Sequence, residues 1–573
     1  MRRKAYALGA IGVAATLALA GCGSGSGGGQ SGDGGSDAVP LADINAHDRG
    51  DLEEGGTLRF GIGAMPTYYN TMHVNGNTVD VASTIGGFVN PSNWVYQEDG
   101  TIKENPNYVE KYEVKQEGDK QVVTLDLNKD AKWGDGTPIT WEDYKATWES
   151  CNGVPSEDED AEEKLCASTD GYDHWESVEA GEDEFQVIVT FIDAFPDWSA
   201  SLSGVSAKAG VEDVDTFNNG WEAPNNDWTA GPYQFASVDE AQKVVTLERN
   251  PNWWGEPGLL DSITFREMDP AAMGTGFANS EIDVLDGIID AQQYTTADSR
   301  ADAEIRRAGG RQWRHFTFNA ESGVLQDKEL RATLVRGIDR VAITEADLAG
   351  IPDLVPAELV KNNHLFQPGQ EGYQDNAGDY AYDKERAEKE LDEQGWILED
   401  GAEYRTKDGE TLEFEYTMMP DISTSKTEGE LLQAQMKEIG VNVKIQNVDA
   451  GAFFDEYVIP GNFASTTFAW QGTPYPLANI LQIYGCENFG GSNFSRLCVP
   501  EIDELAAKIA VEADHDKRLE MGNEVDKIIW ENTMVLPIYA RMEMTAVPKN
   551  LANYGAFGLS TVQIENVGFV KGE

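Results

Sequence analysis

The sequence predicts an α/β protein, and three observations carry that prediction. Short runs alternate apolar and polar residues with the period of half-buried strands. Other segments repeat apolar residues at helical spacing between capping residues and terminal glycines. The connections between the two kinds are short, and no internal repeat is present.

Thr57-Leu58-Arg59-Phe60-Gly61-Ile62-Gly63 reads as the first strand. Its Gly61-x-Gly63 is no dinucleotide loop, because Pro66 stands where a third glycine belongs. Residues 121–127 and 185–191 read as further strands. Asp135-Gly136 is a tight turn, followed by Pro138 and a capping box at Thr140-Trp141-Glu142-Asp143, which opens a helix carrying Tyr144 and Trp148. Leu330, Leu334, Ile338 and Val341 form one apolar stripe after Asp327. Ala387 and Leu391 precede Gly395, and Leu432, Met436 and Ile439 precede Gly440, two helices with glycine stops. A strand at 441–445 follows at once, and residues 501–530 hold two amphipathic helices.

At 573 residues the chain has room for two or three domains of about 150 residues each. A balance of 43 basic against 100 acidic residues leaves a net charge of −57, which repels phosphate backbones and excludes nucleic acid as a partner. Met1-Arg2-Arg3-Lys4 and the uncharged apolar residues 5–20 read as a secretory signal, shorter than the ~20 residues of a spanning helix. Export permits disulfides. Cys22 aside, Cys151, Cys166, Cys486 and Cys498 allow three pairings, of which the local bridges Cys151–Cys166 and Cys486–Cys498 are expected. Zinc lacks a Cys-x-x-Cys or histidines at ligand spacing, so no metal or cofactor is expected. The acidic run at 157–163 lacks the geometry of a calcium loop.

Signatures of catalysis are scarce. The six histidines form no His-Glu-x-x-His pair, and neither a Gly-x-Ser-x-Gly elbow nor a phosphate loop occurs. Ser423-x-x-Lys426 lacks the companion motifs of a β-lactamase. Aromatic side chains in loops (Tyr68-Tyr69, Trp94, Trp228, Trp253-Trp254, Trp470, Tyr475) suit the walls of a binding pocket instead. No enzymatic activity is expected.

Leu19-Ala20-Gly21-Cys22 resembles the bacterial lipobox, which implies cleavage before Cys22 and a diacylglycerol on its thiol. Residues 23–37 are all Gly, Ser, Gln or Asp, a flexible coil spanning about 20 Å. The body of the chain resembles the family 5 solute-binding proteins of ABC importers. The resemblance rests on Trp133-Gly134-Asp135-Gly136-Thr137-Pro138 through Asp143, and on Gly231-Pro232-Tyr233 with Asn250-Pro251-Asn252-Trp253-Trp254-Gly255. Asn319, Leu330-Arg331-Ala332 and Gly337-Ile338-Asp339-Arg340 continue it. Tyr382-Asp383 to Gly395-Trp396 and Gln433-Ala434-Gln435-Met436 complete a series in family order.

The resemblance implies a two-lobed, periplasmic-binding-protein-like fold of type II, its lobes hinged by crossing strands, with an extra subdomain in lobe one. The expected division is signal 1–21, lipidated tether 22–55, lobe one 56–95, its subdomain 96–222, lobe one again 223–318, lobe two 319–528 and a return to lobe one at 529–573. It also implies capture of a small peptide or peptide-like solute outside the cytoplasm by a lipid-anchored monomer. Delivery would be to ABC permease subunits with cytoplasmic ATPases. Sugars, opines and peptide-like antibiotics remain open as ligands, and a tethered exported hydrolase or a signalling or adhesion lipoprotein are the rival classes. In peptide binders of the family an aspartate near a tryptophan meets the ligand's amino group. Thr473 stands at that position in Trp470-Gln471-Gly472-Thr473-Pro474-Tyr475, with Asp449 or Asp455 as possible substitutes. The expected ligand-contacting residues are Tyr68, Asn75, Trp94, Trp470, Gly472, Thr473, Tyr475, Asn493 and Phe494. The loop at 65–77 is expected to face the cleft, and His73 to lie on the surface.

Overall fold

A first strand, β1 (Thr57–Ile62), begins a body that the computed structural model describes for residues 39–154, 162–169, 171–488 and 491–572. Cys22, the signal, the segment at 23–37 and most of the acidic run lie outside the described residues. The chain next enters a subdomain of four antiparallel strands, β2 (Val109–Glu117), β3 (Lys120–Leu127), β4 (Trp175–Ala180) and β5 (Gln186–Phe191), in the order β2–β3–β5–β4. Alternate residues of β3 are buried, as the period-two pattern requires. Helix α1 (Trp141–Cys151) packs on this sheet and starts with the predicted capping box, Thr140 and Asp143 each bonding the other's backbone N–H. The turn before it places Gly136 at φ 88°, a backbone that a side chain resists.

β6 (Tyr233–Asp239), β7 (Val244–Arg249) and β8 (Ser262–Glu267) then complete a second sheet in the order β1–β8–β7–β6, with β8 parallel to β1. Residues 284–286 extend it: Val284 bridges Phe60 in parallel, and Leu285 bridges Ala546. The long strand β9 (Ala303–Phe318) leaves this lobe for the other. Helices α2 (Lys328–Arg336, capped by Asp327), α3 (Arg340–Asp347, capped by Asp339), α4 (Lys384–Glu393) and α5 (Ser423–Glu438) follow, interleaved with β10 (Glu413–Met418), β11 (Asn442–Asn447) and β12 (Ser465–Gln471). α6 (Pro500–Ile509) and α7 (His515–Asn532) precede the return strand β13 (Val535–Pro548). The second lobe's sheet runs β11–β10–β12–β9–β13.

The predicted stripe at 330–341 is two helices rather than one. Leu330, Leu334 and Ile338 are buried, but the chain breaks at Gly337 and restarts on the Asp339 cap, which turns Val341 outward to 40% exposure. Gly395 and Gly440 both end their helices at positive φ, as predicted. Both expected disulfides, Cys151–Cys166 and Cys486–Cys498, are present. No helix among the described residues is long and apolar enough to cross a membrane.

β9 and β13 pair antiparallel twice, over Ala303–Gly309 with Met542–Pro548 and over Trp313–Thr317 with Val535–Ala540. Between these stretches the register shifts, at Gly310, Arg311 and Gln312. Gly310 is required there, since a Cβ would stand 2.1 Å from the Arg541 carbonyl. The two lobes therefore join through an irregular crossing within β9 and β13, and residues 313–318 and 535–540 belong to the second lobe's sheet.

Candidate ligand cleft

Strand direction locates the cleft. In the first lobe, β1, β8 and residues 284–286 are parallel, so Ile62, Glu267 and Asp286 sit together at their carboxyl edge. β13 runs antiparallel beside Leu285, which brings Met544 and Glu543, and hence the crossing, to that same edge. In the second lobe β10, β11 and β12 are parallel, and Met418, Asn447 and Gln471 end them. Gln312 pairs with Gln471, so this edge also meets the crossing. The carboxyl edges of two α/β lobes thus face each other across the strands that join them, and carboxyl edges are where open α/β sheets bind ligands.

The second lobe offers an aromatic wall. Half-buried Trp470 lies parallel to His315 and Phe494, with ring centroids 5.9 and 5.8 Å away and interplanar angles of 9° and 4°. His315 is fully buried; burial and the Arg314 guanidinium hold its pKa well below the usual value, so the ring packs as a neutral imidazole. Phe468 and Phe453 continue the cluster, and Phe454 presents its ring at 44% exposure. Gly472 donates its N–H to the Arg311 carbonyl at 2.8 Å, and a Cβ there would meet Gln367 at 2.3 Å. Thr473 Oγ1 accepts the Tyr475 N–H at 3.1 Å, while its carbonyl accepts Gln370 Nε2 at 3.0 Å.

Tyr475 reaches the subdomain. Its hydroxyl lies 3.0 Å from that of Tyr96 and 3.1 Å from Ser199 Oγ. Close by, Arg518 of α7 forms an ion pair with Asp197 at 2.5 Å, both side chains about nine-tenths buried. A cavity of about 350 Å³ lies against these contacts, between the subdomain and the second lobe.

The other expected residues lie elsewhere. Tyr68 is buried, donates to the Phe217 carbonyl and packs on His73 at 4.3 Å. His73 is itself 1% exposed, not superficial, and its Nδ1 accepts the Asn75 N–H. The loop at 65–77 thus leaves the carboxyl edge after Met65 and turns into the seam with the subdomain, with Asn75 exposed. Trp94 is a core residue, donating to the Ser199 carbonyl and packing on Trp198 and Tyr112. Asn493 is fully buried and ties Gly485 to Leu497 by its amide. Trp253 and Trp254 pack on Tyr108, and Trp228 on Trp221. Asp449 and Asp455 are exposed on the second lobe, and Asp449 accepts the Gly451 N–H. Only Trp470, Gly472, Thr473, Tyr475 and Phe494 form one neighbourhood at the cleft.

Residues 103–491 match the family described as bacterial extracellular solute-binding proteins, family 5 middle. The chain belongs to that family. It is 34% identical to the oligopeptide-binding protein OppA of Mycobacterium tuberculosis over 92% of this chain and 87% of the relative. Similarity extends to the murein peptide-binding protein MppA of Escherichia coli, 23% identical over 74% of this chain and 77% of that one. Among solved structures, a periplasmic EDTA-binding protein, EppA, superimposes with a TM-score of 0.77 at 23% identity, covering 94% of this chain and all of that one. The oligopeptide-binding protein AppA of Bacillus subtilis, in complex with a nonapeptide, gives 0.66 at 20% identity, covering 91% of this chain and all of that one. The protein is a solute-binding component of an ABC importer with the two-lobed fold of its family.

Sequence reasoning missed Asp286, Glu543, Arg311 and Phe454. Asp286 is one of 100 acidic residues, and only its pairing beside β13, some 260 positions later, brings it to the cleft.

Proposed function

We propose that this protein captures oligopeptides between its two lobes, by closure about the β9–β13 crossing, and delivers them to an ABC permease. The observation that carries the reading is the pair of facing carboxyl edges, one of them walled by Trp470 and Phe494. An aromatic wall accepts varied side chains by contact area, whereas a sugar or a chelate demands a denser set of fixed polar partners. The relative of 34% identity bears the name of an oligopeptide-binding protein. Lipid attachment at Cys22, with residues 23–37 as slack, keeps the receptor at the outer face of the membrane while leaving it free to turn. We read the chain as a monomer that makes and breaks no covalent bond in its cargo.

Native and then denaturing mass spectrometry of the purified protein tests this directly. Peptides should be released on denaturation, and a peptide library should raise the melting temperature of the emptied protein. An empty cleft with no thermal shift across the library overturns the reading. Trp470→Ala should remove most of the shift, and unchanged binding would relocate the site.

A further inference from the structure

The seam between the first lobe and its subdomain holds a chamber of about 160 Å³. Tyr69 and Asn70 of the loop at 65–77 wall it, with Tyr172 and Ser206 of the subdomain and with Trp221 and Trp228. Thr71, Asn90, Pro91, Ser203 and Gly204 line both this chamber and a groove of about 840 Å³, so the two adjoin. No residue of the second lobe lines either one, which sets both apart from the inter-lobe cleft. In a chain of net charge −57, the chamber is lined by no Asp, Glu, Lys, Arg or His.

Its walls are fixed by their own bonds. The Tyr69 N–H donates to the Trp221 carbonyl at 2.9 Å, Trp221 Nε1 donates to the Gly210 carbonyl at 2.8 Å, and the Trp221 ring meets Trp228 at 4.8 Å. The Ser206 N–H donates to Thr147 Oγ1 at 3.0 Å, and its hydroxyl to Met72 Sδ at 3.3 Å. Two groups in these walls are left over. Tyr69 is 6% exposed and Asn70 3%, yet among the described residues neither Tyr69 Oη nor Asn70 Nδ2 has a hydrogen-bond partner. Asn70 Oδ1 accepts the Met72 N–H at 3.0 Å, which leaves Nδ2 as the donor to be paired. Burial, with repulsion from Glu240, pushes the Tyr69 hydroxyl up to about 12, so it stays protonated. Unpaired buried polar groups weaken folding, and two on one wall point to a partner from outside the chain.

We propose that this seam binds a neutral sugar, one ring seated in the chamber beside Tyr69, Asn70 and Trp228 and any further units lying in the adjoining groove. Aromatic side chains cover the apolar face of such a ring, and hydroxyls that donate and accept complete the pairing of a phenol and an amide. A charged ligand finds no counter-ion in the chamber, and an apolar one leaves both polar groups unpaired. The volume lies below the roughly 300–1,000 Å³ of sites for drug-sized ligands, which suits a single small ring. The groove continues the same chemistry in Asn77, Asn90, Gln97, Asn105, Asn107 and Gln563, although Lys103, Glu104, Glu256 and Glu565 also border it. Sugar and peptide would thus occupy separate sites.

Calorimetric titration of the full chain tests this with neutral hexoses and pentoses, with their linear tetramers, and with glucuronate and glucosamine as charged counterparts. At least one neutral sugar should bind, and the charged counterparts at least about tenfold more weakly for want of a counter-ion. A tetramer tighter than its monomer identifies the end of a glycan as the ligand, whereas equal affinities identify a free sugar. Tyr69→Phe deletes a hydroxyl that no protein group pairs. It should leave the melting temperature unchanged or raised while weakening the sugar about three- to tenfold, the worth of one hydrogen bond. Trp228→Ala should remove most of the affinity, and both variants should keep the thermal shift given by peptides. No binding across the panel, charged sugars bound as well as neutral ones, or a Tyr69→Phe protein that binds like the wild type overturns the inference. Displacement of the sugar by saturating peptide overturns it too, by moving the sugar into the inter-lobe cleft. If Trp228→Ala does not fold, Tyr69→Phe decides alone. A protein that binds sugar but no peptide loses the peptide reading and keeps this one.

Discussion

Thr473 shows what a single side chain settles at this cleft. Its hydroxyl closes a local turn on the Tyr475 N–H, a bond that a carboxylate makes equally well. Thr473→Asp should therefore leave the fold intact and add an anionic group at the second lobe's edge, three residues from Trp470. Free-amine peptides should bind several-fold more tightly while acetylated ones do not, as calorimetry reads; equal gains for both kinds would show that the position lies outside ligand reach. The departure at Thr473 was legible in the sequence, because it sits in a short motif beside Trp470. The fate of the loop aromatics was not. Trp94 and Tyr68 carry the same local signals as Trp470, namely a large ring beside loop residues, but the first two find buried acceptors at Ser199 and Phe217. Burial is decided by partners more than a hundred positions away, which no local pattern reports.

Elements were the most legible scale, since a cap, a glycine stop and a period are local. Thr140, Asp327, Gly395 and Gly440 each act where the pattern puts them. Where the pattern failed, at Val341, a second cap at Asp339 outweighed a continuous apolar stripe. The two disulfides pin elements with different duties. Cys151–Cys166 ties the end of α1 to a segment that crosses β-fashion to His73, all within the first lobe. Removing both cysteines should cost about 3 kcal/mol, the loop-closure value for a span of 15 residues. Peptide affinity should stay within twofold, and guanidinium unfolding alongside titration checks both. Cys486–Cys498 instead closes the segment that carries Phe494 onto Trp470. Its double serine variant should lose affinity as well as stability, because Phe494 is then free to leave the wall. If affinity survives the second change, Phe494 is packing and not part of the site.

At the scale of the whole molecule, the family, its two-lobed plan and strands crossing between the lobes were legible from motifs in order, whereas the place and register of the crossing were not. β9 and β13 each serve both lobes, and the Gly310 irregularity that divides them is a matter of register between strands more than 200 residues apart. Attachment is a separate matter: Cys22→Ser should release the protein from membranes in a fractionation assay and leave the affinity of the body unchanged. The closure proposed above also draws on contacts between the subdomain and the second lobe. Asp197 of the subdomain and Arg518 of α7 form an ion pair about nine-tenths buried, beside the Tyr96–Tyr475–Ser199 hydroxyl cluster. A buried pair adds little against well-packed apolar groups, but breaking it leaves one charge stranded at a cost of about 3–5 kcal/mol. In a two-lobed receptor that cost is avoided by opening, which returns Arg518 to water. Asp197→Asn should therefore raise the radius of gyration of the empty protein in small-angle scattering, with the global melting temperature little changed. Saturating peptide should restore the compact form, and the apparent affinity should fall in proportion to the closed fraction lost. An unchanged radius with a lowered melting temperature would mean that the pair holds the fold together and does not gate the cleft.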